Sequence, residues 1–141
     1  MVICFNFLEQ KKFFLKIKIK DIANIQTGLF AKPKDRGDVV YLQAKYFDEN
    51  GDLSGELYPD LKSDGISLNH LLKVGDVLFA AKGSKNFATV FENHNNQAVA
   101  STSFFVLRLK TKEIIPQYLA WYLNTSQIQQ RLKAQAIGTS I

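Results

Sequence analysis

The stretch Gly75-Asp76-Val77-Leu78-Phe79-Ala80-Ala81-Lys82-Gly83-Ser84-Lys85-Asn86-Phe87-Ala88-Thr89-Val90-Phe91 reads as strand, turn and strand. Val77 to Ala81 is a short apolar run entered from a Gly-Asp turn, the pattern of a buried strand. Lys82 to Asn86 is a tight polar turn, and Phe87 to Phe91 is a second strand. Gly75 stands where a preceding helix would need a left-handed residue: Ser67 can cap a short helix carrying Leu68, Leu71 and Leu72 on one side.

Downstream, Glu92 to Gln97 is a polar connection, and Phe104 to Leu109 is a further strand. Pro116 suits the first position of a helix, where its missing N–H is not needed; Leu119, Tyr122 and Leu123 form the apolar side. A second helix from about Ser126 carries Ile128, Leu132 and Ala136 at helical spacing and closes before Gly138. Upstream, Phe14 to Lys20 alternates Leu15, Ile17 and Ile19 with Lys16, Lys18 and Lys20, the period of a half-buried strand with a lysine face. Lys32 to Asp38 has the chemistry of a cation-rich loop, Val39 to Gln43 is another strand, and Asn50-Gly51-Asp52 is a turn signal. The acidic segment Asp48 to Asp64 reads as exposed irregular structure. The whole predicts an α+β fold: a β-rich, mixed, mainly antiparallel sheet followed by a helical C-terminal part.

With 141 residues, 46% hydrophobic and 22% charged, the chain suits one folded domain. The single Cys4 cannot form an internal disulfide, and two histidines cannot complete a Cys/His metal set, which fits a reducing cytoplasm. Met1 to Leu8 is apolar but lacks a basic leader region and a cleavage site, so secretion is not expected, and no segment approaches the ~20 apolar residues of a membrane span. The net charge of +5 is segregated: +5 over residues 1–36, −5 over 37–66, +4 over 67–112 and +1 over the remainder. Such segregation suits a surface that meets phosphates.

Catalytic patterns are missing. There is no G-x-S-x-G elbow, phosphate loop, H-E-x-x-H or dinucleotide fingerprint. Pro59-Asp60 could open a nuclease carboxylate motif, but Glu92 is followed by Asn93-His94 and Glu113 by Ile114-Ile115, so the required acid-x-Lys is absent. No enzyme activity and no cofactor or metal are expected. Side chains that read bases and grip phosphates concentrate instead in turns. Lys82, Gly83, Ser84, Lys85 and Asn86 form one cluster; Asn93, His94, Asn95, Asn96 and Gln97 form a second; Gln26, Thr27, Lys32, Lys34 and Arg36 form a third.

Four segments in order carry a resemblance. Gly75 to Ser84 is similar to the "G-D-(I/V)-L-hydrophobic…(R/K)-G" segment of the specificity subunits of type I restriction-modification systems. Ala100 to Arg108 resembles their small-residue, aromatic, "v-l-R" strand. Ile115 to Asn124 resembles their "P-x-Y-L-x-x-x-L-N" helix, and Gly138-Thr139-Ser140-Ile141 their "G-(T/S)-x-I" step. Asp21-Ile22-Ala23 with Gly28 is similar to the start of such a target-recognition domain, so the resemblance spans residues 17–141; Met1 to Phe13 has no clear counterpart, and residues 1–16 are expected to be an N-terminal extension or first strand. The motif residues Phe104, Phe105, Leu107, Leu119, Trp121 and Leu123 are expected to be core.

The resemblance implies sequence-specific binding of double-stranded DNA at one half of a bipartite target, in a cytoplasmic host-defence complex whose methyltransferase and restriction subunits supply the chemistry. Family members continue into a Pro-rich, acidic-Gln segment and a long spacer helix, so the expectation is a domain truncated before that helix, able to meet a second recognition domain or its own copy. The alternative is a recognition-like module that binds methyltransferase subunits.

Overall fold

A computed structural model of the chain describes residues 2–7, 13–81, 86–92 and 95–138. The fold is α+β. In chain order, the strands are β1 (Val2–Phe7), β2 (Phe13–Lys18), β3 (Ala23–Thr27), β4 (Val39–Leu42), β5 (Pro59–Leu61), β6 (Val77–Ala80), β7 (Phe87–Val90), β8 (Gln97–Ala100) and β9 (Phe104–Leu109). The helices are α1 (Ile19–Ile22), α2 (Pro116–Leu123) and α3 (Ser126–Gly138).

A four-stranded antiparallel sheet runs β3-β9-β6-β7, and a three-stranded sheet runs β5-β4-β8, in which β4 and β8 are parallel. The antiparallel pair β1-β2 stands as a separate hairpin. The side-chain alternation of each strand sorts the molecule into layers. Val77, Phe79, Ala88 and Leu107 face α2 and α3, meeting Leu119, Leu123 and Ile128. Leu78, Ala80, Phe87, Phe104 and Val106 point the other way, against Val40, Leu42, Ala98 and Ala100 of the smaller sheet. Phe47, Phe87 and Phe104 fill the middle of this inter-sheet layer, with ring centroids 5.5–5.9 Å apart and tilted or edge-on contacts. The outer face of the smaller sheet carries Val39, Tyr41, Leu61 and Val99 and is covered by loop residues Leu29, Ala31, Ile66 and Leu71. Both sheets are thus covered on both sides, so β4 and β6 read as unbroken apolar runs instead of alternating ones.

Between the layers sits an ion pair. Asp76, 2% exposed, receives two hydrogen bonds from Arg108 of β9, Nε to Oδ1 at 2.8 Å and Nη2 to Oδ2 at 2.7 Å. Arg108 Nη2 also donates to the Leu71 carbonyl, and the Lys73 amide donates to Asp76 Oδ2. The charge-assisted bonds from Asp76 hold the Arg108 guanidinium pKa above its ordinary value. Gly75, at φ 92°, lets the chain turn tightly enough to aim Asp76 inward. A second lock closes the sheet edge: the Asn124 amide donates to the Ala88 carbonyl and accepts from the Ala88 N–H, each at 2.8 Å. These are the outward groups of an edge strand, which would otherwise lie open to another chain.

Several expectations are corrected. Ser67 caps no helix; only a 3-10 turn at Leu68–His70 forms, without a side-chain cap bond, and Leu68 is 79% exposed. Gly75 is left-handed in an isolated turn, not a helix end. The first strand stops at Lys18, because Ile19 and Ile22 turn inward on the short helix α1 to join the core. Gln97 belongs to β8, a strand of small residues hidden in what read as connection. The acidic segment contributes the edge strand β5, and α3 runs through Gly138. Trp121 is 61% exposed: α2 buries Leu119, Ala120 and Leu123, which leaves position 121 on the opposite face.

Arg108→Ala should destabilise the fold by about 3 to 5 kcal/mol, because it strands a buried carboxylate; an unchanged urea midpoint would show that the pair is dispensable. Trp121→Ala should stay within about 0.5 kcal/mol of the parent on the same scale, as surface substitutions do.

Candidate nucleic-acid interface

β3 is an edge strand, and its register sets Asn24 beside Arg108 and Gln26 beside Val106. Beside Val106 and Arg108 the space between β3 and the Leu68–His70 turn is open. The space becomes a groove of about 370 Å³ lined by Asn24, Gln26, Ser67, Asn69, His70, Val106 and Arg108. Its far wall is the Leu68–His70 turn, held by the His70 amide on the Ser67 carbonyl and by the Leu72 amide on the Ala98 carbonyl. Gln26 Nε2 spans the groove to His70 Nδ1 at 2.8 Å. In this arrangement the Gln26 amide nitrogen donates and His70 Nδ1 accepts. Among the described residues no carboxylate lines the groove, and each of its polar side chains carries a hydrogen-bond donor or can carry one.

From the groove the chain passes straight into the cationic loop. Gly28 approaches the β8–β9 corner so closely that a Cβ there would lie 1.9 Å from the Ser101 carbonyl oxygen. Its amide donates to the Phe104 carbonyl, and the Leu29 amide donates to the Ala100 carbonyl. The segment then crosses the Tyr41 face and reaches the β5 edge, where the Lys34 amide donates to the Asp60 carbonyl. Lys32, Lys34 and Arg36 are all exposed. Asp38 ends the loop: the Ser63 hydroxyl and amide both donate to its carboxylate, and these bonds hold its pKa below the usual aspartate value.

The sequence-derived candidates divide accordingly. Lys82, Gly83, Ser84, Lys85, Asn93 and His94 lie outside the described residues. Asn86 immediately precedes β7, partly buried, its Oδ1 without a hydrogen-bond partner among the described residues. Asn95, Asn96 and Gln97 are exposed, and Asn95 and Asn96 border a small cleft with Leu53 and Leu57. Because Val39 pairs with Gln97, this amide group stands beside the end of the cationic loop; Asn86 enters at the opposite end of β7. Asn24, Ser67, Asn69, His70 and Arg108 were not among the candidates. The local signal was faint: Asn24-Ile25-Gln26 alternates polar with apolar, but nothing local ties it to Asn69-His70, 44 residues from Gln26 to His70.

No family model matches the chain, and no curated protein matches its sequence. Among the described residues no helix is long and apolar enough to cross a membrane, and no group of three or more His, Cys, Asp or Glu is placed to hold a metal ion.

Gly28→Ala should cost about 1 to 3 kcal/mol by overpacking against the Ser101 backbone. Thermal unfolding measures the loss; an unaltered Tm would mean that the corner yields and does not fix the loop.

Proposed function

We propose that the chain is a DNA target-recognition domain, similar to those of type I specificity subunits, that reads one half of a split duplex target. The observation that carries this reading is the run from Asn24 to Arg36: an amide-lined groove continues along one chain segment into three exposed cations. Cations grip phosphates in any register, and amides pair their donor and acceptor with one base edge, so the run divides into gripping and reading parts. The resemblance gains support from the way its motif residues meet. Asp76 of the Gly-Asp segment bonds Arg108 of the "v-l-R" strand, and Asn124 of the helix motif clamps β7. Methylation and cleavage would belong to partner subunits.

A second reading has one observation in its favour. Trp121 lies exposed on α2, its ring 5.6 Å from that of Tyr118, and an exposed aromatic of this size suits a protein contact. On that reading the domain docks methyltransferase subunits through α2, a role compatible with DNA recognition on the other side.

Fluorescence anisotropy with random duplex should give an affinity on the order of micromolar or weaker that falls with salt. Lys34→Ala should weaken binding to all duplexes alike and lower the salt slope by about one unit. Asn24→Ala and Asn69→Ala should instead alter preference at single positions by about 1 to 3 kcal/mol in a randomised library. Binding insensitive to salt would overturn the proposal.

A further inference from the structure

Phe30 is 75% exposed, yet the loop residues on either side of it are held by hydrogen bonds. Its neighbours Leu29 and Ala31 pack against the outer face of the smaller sheet. The Leu29 amide donates to the Ala100 carbonyl at 2.8 Å, and the Leu29 carbonyl accepts from the Tyr41 hydroxyl at 2.9 Å. That hydroxyl oxygen also accepts from the Ala31 amide at 3.3 Å. Tyr41 therefore clasps the backbone on both sides of Phe30, and Gly28 seats the preceding turn against the Ser101 backbone. The alternation that turns Leu29 and Ala31, both partly buried, toward the sheet holds Phe30 outward. A large apolar ring kept in water on a fixed support forgoes the stabilisation of burial, and it is placed to meet an apolar surface of a partner.

The surroundings specify that partner. Gln26 and Asn24 lie just before Phe30 on the same segment, and Lys32, Lys34 and Arg36 just after it. A phosphate-binding loop would bring a nucleic acid to this rim, where the apolar surface on offer is the face of a base. Ile25 and Leu68 are also exposed beside the groove but carry no ring to stack on a base, and among the described residues the other exposed aromatic side chains lack that setting. Tyr58 donates to Glu56 within the acidic segment, which repels phosphates. Trp121 belongs to α2, which packs on the far side of the four-stranded sheet.

We propose that Phe30 is a wedge that enters a base step of the bound duplex, unstacks it and bends the DNA toward the cationic loop. This rests on the reading of the domain as a DNA-recognition module. Apolar wedges of this kind unstack and kink duplexes in other DNA-binding proteins, and pyrimidine–purine steps yield most easily. The wedge therefore adds a preference for a flexible step, separate from the hydrogen bonds of the groove. Because unstacking offsets much of what the ring gains, Phe30 governs the shape of the bound DNA more than its affinity.

The test uses duplexes enriched by the full chain from a randomised library and probed with permanganate, which oxidises unstacked thymines. The parent protein should raise reactivity severalfold at one pyrimidine–purine step. Phe30→Ala should abolish that rise and keep salt-dependent binding; Phe30→Trp should retain it. Reactivity that stays flat in the parent complex, or rises equally with Phe30→Ala, overturns the wedge and leaves the recognition reading standing. If the parent chain binds no duplex at low salt, the recognition reading falls and the wedge falls with it.

Discussion

The pairing of buried Asp76 with the partly exposed Arg108 is the constraint on which the rest depends. A carboxylate 2% exposed is tolerable only when its charge and lone pairs are met, and here a guanidinium fork and the Lys73 amide meet them. The pair fixes where β6 begins, since the chain must turn at Gly75 to present Asp76. It also ties β9 to the Leu71 carbonyl, and thus to the wall that carries Asn69 and His70. Its geometry therefore sets the width of the polar groove. The amide and carbonyl of Asp76 and its neighbour add to the lock: the Phe91 amide donates to the Asp76 carbonyl, and the Gly75 amide to the Phe91 carbonyl.

Around this pair, framework and surface separate by chemistry. The residues that hold the fold do so through backbone groups: Asn124 on Ala88, Arg108 on Leu71, Tyr41 on Leu29 and Ala31. Such bonds depend on the partner's position and not on its side chain. The side chains on the rim, Asn24, Asn69, Lys32 and Arg36, make no such bonds among the described residues, so they can change without disturbing the layers beneath. A module whose target is to vary while its fold persists requires that division.

The errors of local reading share a cause. As a residue of the helix motif Trp121 is expected in the core, but a helix of eight residues has one buried face, and Leu119, Ala120 and Leu123 occupy it. Ala98-Val99-Ala100 gave no strand signal because small residues have weak strand preference. They form β8 by pairing with β4, so that Ala98 and Ala100 face the inter-sheet layer and Val99 the outer face. Ser67 through Leu72 had helical spacing, yet the Leu71 carbonyl and the Leu72 amide are drawn to Arg108 and Ala98.

What the sequence by itself determined was much of what has a local period: the α+β class, β9 to the residue, the β6–β7 strand pair and α2 from its first proline. These follow from side-chain alternation and fixed backbone angles, which act within a few residues. What only the tertiary structure decided was the partnering of distant residues. The parallel pairing of β4 with β8, the Asp76–Arg108 bond and the meeting of Gln26 with His70 join positions 32 to 58 residues apart, and no local preference encodes them. The amide groove exists because β3, β9 and the Leu68–His70 turn come together, which no segment carries alone.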